Sequence, residues 1–113
     1  LFSAYMVSND ETLDIIKKVY KNYNYILDPH SAVGYGAAQK ALNDKIITND
    51  IPLVSLACAH PAKFPDIISK AINIRPELPK HLKFIMSSEE NFEIIDPSVL
   101  DIQDFIKSNA RLI

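Results

Sequence analysis

One stretch constrains this 113-residue chain more than any other. It is Ile51-Pro52-Leu53-Val54-Ser55-Leu56-Ala57-Cys58, a continuous apolar run with Ser55 as its polar interruption. Runs of this kind read as strands buried on both faces, as in parallel sheets. A lone two-sided strand cannot satisfy its own backbone N–H and C=O groups. Nothing else in the chain reads as a strand of equal strength, so the partners are expected outside this chain or in another copy of it. The sequence begins at Leu1, not Met, which agrees with a piece of a longer protein. The expectation is an α/β, mostly helical fragment that contributes a buried strand and several helices to a larger domain. Alone, it is expected to self-associate or to keep apolar surface exposed.

The rest of the pattern is helical. Ser8 and Glu11 have capping-box spacing, and Ile15, Ile16, Val19, Tyr20 and Tyr23 recur at helical intervals, predicting a helix from Asn9 to about Asn22. Tyr25-Ile26-Leu27 reads as a short extended piece. Asp28-Pro29 then combines a capping residue with proline at the first helical position, predicting a second helix from Pro29 to about Lys45. Gly34 and Gly36 fall inside it, each unfavourable by ~1 kcal/mol against alanine. With Ala32, Ala37, Ala38 and Ala41 they make a helix bare enough for close packing on a sheet, or for close approach to a ligand. Thr48-Asn49-Asp50 reads as a turn. Phe64, Ile67, Ile68, Ala71 and Ile72 share one face of a third helix, with Pro61 and Pro65 in its first turn. Pro79 to Ile85 suggests one short helix, and Met86 to Ile95 a segment that is irregular or partly extended through Phe92, Ile94 and Ile95. Asp96-Pro97 predicts the start of a last helix with Val99, Ile102, Phe105 and Ile106 on its apolar face. The tyrosines Tyr20, Tyr23 and Tyr25 are expected between the first helix and the sheet, with Lys17-Lys18 and Glu89-Glu90 in solvent.

Composition removes several functional classes. A net charge of −2 with scattered lysines and arginines gives no basic stripe for nucleic acid. No apolar run approaches the ~20 residues that a membrane helix needs. Cys58 is the single cysteine, which excludes an internal disulfide framework and fits a reducing, cytoplasmic compartment.

The abrupt end of the apolar run, Cys58-Ala59-His60-Pro61-Ala62-Lys63-Phe64, admits four readings. Structural zinc needs four ligands in paired spacings, and His30 and His81 lie far from Cys58 and His60, so no metal site is assigned. A Cys58/His60 nucleophile pair is compatible with extended i, i+2 geometry, yet no third residue orients the base. Cys58 can also serve as a small packing residue. Finally, ligands in open α/β sheets sit beyond the carboxyl ends of strands, where loops lead into helices. Small residues leave room there, and Lys63 at a helix start favours anions. His30, in a first helical turn, is expected to be neutral with local hydrogen bonds, and His81 to lie on the surface.

Two stretches resemble threonine synthases. YILDPHSAVGYGAAQKAL, from Tyr25 to Leu42, is similar to their Asp-Pro-His-Thr-Ala-Val-Gly region, and LACAHPAKFPDII, from Leu56 to Ile68, to their Thr-Ala-His-Pro-Ala-Lys-Phe region. The two lie in the family's order, and VSNDETLDIIKKVY before them resembles its acidic helix start. The resemblance is good over about residues 1–72 and looser beyond.

It implies a tryptophan-synthase-β-like (fold type II) enzyme dependent on pyridoxal phosphate (PLP), converting O-phosphohomoserine and water to threonine and phosphate. Residues 1–113 would be the C-terminal portion of the large cofactor-binding domain, inactive alone. The Schiff-base lysine and the glycine-rich phosphate loop belong to the family's N-terminal portion, and no stretch here resembles either, so no catalytic residue is assigned. One cofactor-binding position carries over. A late-strand Ser or Thr bonds the pyridine nitrogen in this family, and Cys58 holds that place. A thiol is the weaker donor. His60 and Lys63 are expected as neighbours of the site, not catalysts. Two alternatives stay open: a catalytically altered relative, and a stand-alone helical interaction module. The length of the complete reading frame separates the latter from the enzyme.

Overall fold

The structure, a computed structural model, describes residues 2–48 and 50–111; Leu1, and Asn49 at the centre of the expected turn, lie outside them. The chain divides into two units, Leu1–Lys80 and His81–Ile113.

The first unit is built on helix ends that the local sequence dictates. Helix α1 spans Asn9–Tyr23. Its capping box is complete: the Glu11 N–H donates to Ser8 Oγ at 3.3 Å and the Ser8 N–H to Glu11 Oε2 at 2.7 Å. Asn24, in the left-handed region at φ 52°, ends the helix. Helix α2 spans Pro29–Asn43 behind the N-cap Asp28. A 3₁₀ turn at Pro61–Lys63 precedes helix α3, Pro65–Ile72, so the two prolines start separate turns rather than sharing one. Asn73, at φ 57°, closes α3.

Helix α1 packs on both α2 and α3. The core is small: Ile16, Ala32 and Ile68 are fully buried, and Ile15, Ile26, Leu27, Ala71 and Ile72 pack against them. Burying each of the two isoleucines stabilises the fold by ~1.5–3 kcal/mol. The ion pair of Lys40 with Glu11, 2.7 Å, and the bond from Lys40 Nζ to the Met6 carbonyl, 2.7 Å, tie α2 to the start of α1. At Gly36 the two helices pack tightly. A Cβ there would lie 2.5 Å from Ile15 Cδ1 and 3.2 Å from Val7 Cγ2. The small face of α2 thus packs on a helix, where a sheet was expected.

The expected buried strand is corrected. Among the described residues no strand forms, and residues 51–58 run without regular structure. Ile51, Val54 and Leu56 are 60%, 79% and 77% exposed. The cause is the one that made the run conspicuous: a strand needs a ladder partner, and these residues have none among the described residues. Of the three tyrosines expected under a sheet, Tyr20 is half-buried and the other two are not covered. Tyr23 and Tyr25 are 68% and 57% exposed, because no sheet is there to cover them.

A 3₁₀ helix, Lys80–Ser87, forms where one short helix over Pro79 to Ile85 is expected, and the second unit also holds helix α4, Val99–Asn109. Helix α4 starts later than Asp96-Pro97 suggests. Its cap is Ser98, whose Oγ accepts the Asp101 N–H at 3.1 Å, while Asp96 only receives the Ser98 N–H on its carbonyl. The apolar face of α4 is uncovered: Val99 and Ile106 are 70% and 56% exposed.

Candidate functional site at the start of helix α2

Asp28 anchors the site. It is 2% exposed, and its Oδ1 accepts the backbone N–H of His30 at 3.0 Å and of Ser31 at 3.4 Å. Its Oδ2 accepts the Ser31 hydroxyl. Burial pushes the Asp28 carboxyl up, yet the hydrogen bonds from Ser31 and His30 outweigh it and hold the group below its ordinary value.

The Ser31 hydroxyl has a second role. Its single hydrogen goes to Asp28, a pure acceptor, so its lone pairs face outward. They receive the backbone N–H of Cys58 at 3.3 Å, across 27 positions of sequence. A second contact joins the same two stretches: the His30 and Phe64 rings lie 5.1 Å apart, tilted by 59°. His30 Nδ1 also lies 3.3 Å from Asp28 Oδ1. The two motif stretches singled out in the sequence therefore meet in space, at the N-terminal turn of α2.

Cys58 itself is exposed, and its thiol reaches only the Leu56 carbonyl, 3.6 Å away. His60 is not directed at it. Its Nδ1 accepts the Ala62 N–H at 3.2 Å, capping the 3₁₀ turn. That bond requires Nδ1 to be the unprotonated nitrogen. The His60 ring thus has a structural task, which argues against the Cys58/His60 nucleophile pair. Lys63 Nζ stands 6.0 Å from the Phe64 ring centroid. Among the described residues no group of three or more His, Cys, Asp or Glu side chains could hold a metal ion.

Beside His60 and Pro61 lies an open groove of about 560 Å³, lined also by Tyr25, Ile26, Ile74 and Arg75. Arg75 is engaged with Asp66 at 3.3 Å. Cys58 does not line this groove. Sequence reasoning singled out Cys58 but missed Asp28 and Ser31 as its supports. The available signal was the spacing of Asp28 and Ser31, N-cap to third helical position, which places an acceptor-only side chain under a hydroxyl.

Comparison with known proteins identifies the family of the chain as a whole. The family profile "Threonine synthase, C-terminal" matches residues 31–106. Threonine synthase of Pseudomonas aeruginosa is 34% identical over 112 residues, covering 98% of this chain and 23% of that protein. Threonine synthase of Schizosaccharomyces pombe is 44% identical over 72 residues, covering 64% of this chain and 14% of that protein. A crystal structure of PLP-bound threonine synthase from Brucella melitensis superposes with a TM-score of 0.70 at 34% identity, covering 92% of this chain and 21% of that one. The chain thus spans no more than about a quarter of the length of these relatives. Matched by the C-terminal profile over two-thirds of its residues, and by a relative along nearly all of them, the chain belongs to the threonine synthase family.

Proposed function

We propose that this chain is the C-terminal portion of the large cofactor domain of a PLP-dependent threonine synthase, which converts O-phospho-L-homoserine and water to L-threonine and phosphate. In the whole protein, residues 51–58 join a parallel sheet as one of its strands, which gives the domain its α/β character. The exposure of Ile51, Val54 and Leu56 supports this, since a sheet would cover them. The single cysteine agrees with a cytoplasmic setting.

The observation that carries the reading is the bond from the Cys58 N–H to Ser31 Oγ, 3.3 Å, which joins the two family motifs at the tip of the apolar segment. The residues present fit the cofactor. The Cys58 thiol is exposed and held by the weak contact to Leu56, so it is free to meet a pyridine nitrogen. PLP, when bound, supplies the electron sink for charge that develops on the substrate. The task of Cys58 is to stand at the ring nitrogen as a weak, neutral donor. A thiol there leaves the nitrogen largely unprotonated, where a carboxylate would charge it. His60 and Lys63 shape the turn beside it and take no catalytic part.

Three substitutions in the full-length protein test the reading. Cys58→Thr keeps a neutral donor and holds activity within about tenfold, ~1.4 kcal/mol of barrier. Cys58→Asp protonates the nitrogen and shifts the cofactor absorbance. Cys58→Leu weakens cofactor binding through bulk. Identical cofactor spectra in all three variants would remove Cys58 from the ring.

A further inference from the structure

A strand tip that presents a side chain to a ring must hold its backbone still, and Cys58 has little else to hold it. The residue is exposed, and its thiol bonds only within its own segment, to Leu56. The fixed point is its amide, on Ser31 Oγ at 3.3 Å. Ser31 is 4% exposed and Asp28 2%, so water does not compete for the hydroxyl. One turn along α2, Gly34 allows a second close approach of the same segment: a Cβ there would lie 3.1 Å from Ser55 Oγ. Positions 31 and 34 share a helix face.

We propose that Asp28 and Ser31 form a positioning pair for Cys58, in which the Asp28 carboxylate fixes the Ser31 hydroxyl as donor and thereby makes its oxygen the acceptor that sets the Cys58 backbone at the cofactor ring. The inference rests on the proposed place of Cys58 at that ring. It assigns Ser31 and Asp28 a role distinct from catalysis, since both are buried and bonded to protein groups. It also requires a hydroxyl at position 31. An acceptor held by a buried carboxylate cannot turn to donate, so it is always ready for the Cys58 N–H. A side chain without that oxygen leaves the amide unpaired and the tip loose.

The test uses the full-length protein with Ser31→Thr and the isosteric Ser31→Val, and Ser31→Ala as a smaller second variant. Two readouts are taken besides turnover. One is hydrogen exchange of the peptide that contains the Cys58 amide, in apo-protein. The other is the cofactor absorbance and the dissociation constant for PLP. Ser31→Val and Ser31→Ala are expected to speed exchange at Cys58 about tenfold, weaken PLP binding by a similar factor and shift the absorbance. Ser31→Thr is expected to restore all three. Unchanged exchange in the variants without a hydroxyl overturns the inference. So does faster exchange with a wild-type cofactor spectrum, where Cys58→Asp does shift that spectrum. Equal impairment in Ser31→Thr and Ser31→Val, or failure of both hydroxyl-free variants to fold, assigns Ser31 to the fold alone and also overturns it. A wild-type spectrum in Cys58→Asp refutes the proposed place of Cys58 instead, which separates the two claims.

Discussion

Gly36 allows a sharp test of how α2 packs on α1. In isolation, Gly36→Ala gains ~1 kcal/mol of helix propensity. In place, the new Cβ would stand 2.5 Å from Ile15 Cδ1, where carbon atoms prefer about 3.5–4.0 Å. Ile15 must leave its rotamer or α1 must move, and overpacking of this kind costs ~1–3 kcal/mol. The single substitution should therefore destabilise by about 1 kcal/mol net, combining that cost with the propensity gain. Ile15→Val alone removes the Cδ1 methyl and costs ~0.5–1.5 kcal/mol. With that methyl gone, Gly36→Ala still meets a Val7 methyl at 3.2 Å, somewhat closer than carbons prefer, so most of its propensity gain returns. The double variant should then be more stable than the sum of the singles by ~2 kcal/mol, far outside the ~0.5 kcal/mol scatter of independent sites. Urea unfolding of the four proteins, followed by far-ultraviolet circular dichroism because the chain has no tryptophan, measures the cycle. Simple additivity would show that Gly36 and Ile15 do not meet, and the account of the α1–α2 contact would be wrong.

Acid should weaken the first unit. Lys40 and the Ser8 cap hold Glu11 down at about 2, and hydrogen bonds hold Asp28 below its ordinary value, so both contribute stability above the unfolded carboxylate pKa that is lost as pH falls through the folded values. Glu11→Gln should flatten the acid limb between about pH 4.5 and 2 in a pH-dependent unfolding series, and a limb unchanged in shape would refute the assignment. The 113-residue chain alone should bind a hydrophobic dye or self-associate, given the exposure of Val54, Leu56 and Ile94; a strictly monomeric, dye-silent species in light scattering and fluorescence would count against this. The same chain should release no phosphate from O-phosphohomoserine above a no-protein control, because it carries no stretch resembling the family's Schiff-base lysine.

What the sequence made legible was local. The Ser8–Glu11 box and the Asp28-Pro29 start are satisfied within four residues of themselves, so reading them needs no knowledge of the rest of the fold. Position 98 shows the limit even there. Asp96-Pro97 and Ser98 both offer caps, and the helix starts where the Ser98 oxygen can reach the Asp101 N–H. The apolar run was identified as unusual, but whether such a run is buried depends on partners that lie at no fixed distance in sequence. The bond between Ser31 and Cys58 was illegible for the same reason. The motifs flagged both stretches, and only the folded backbone brings the two atoms together.

Helix α2 gathers these threads. It is 15 residues long, carries two glycines in its interior and pays for them in helix propensity, ~1 kcal/mol each. Stability alone would replace both. Each glycine, however, faces a different neighbour: Gly36 meets Ile15 and Val7 of the α1 region, and Gly34 meets Ser55 of the extended segment. Ser31, one turn before Gly34, meets Cys58. One narrow helix thus sits against the core on one side and carries the Ser55–Cys58 tip on the other. A local rule broken twice in a helix, with a specific neighbour at each break, marks close packing on two sides of α2. On this argument, bulk at position 34 displaces the tip, while bulk at position 36 strains the core and leaves the tip in place.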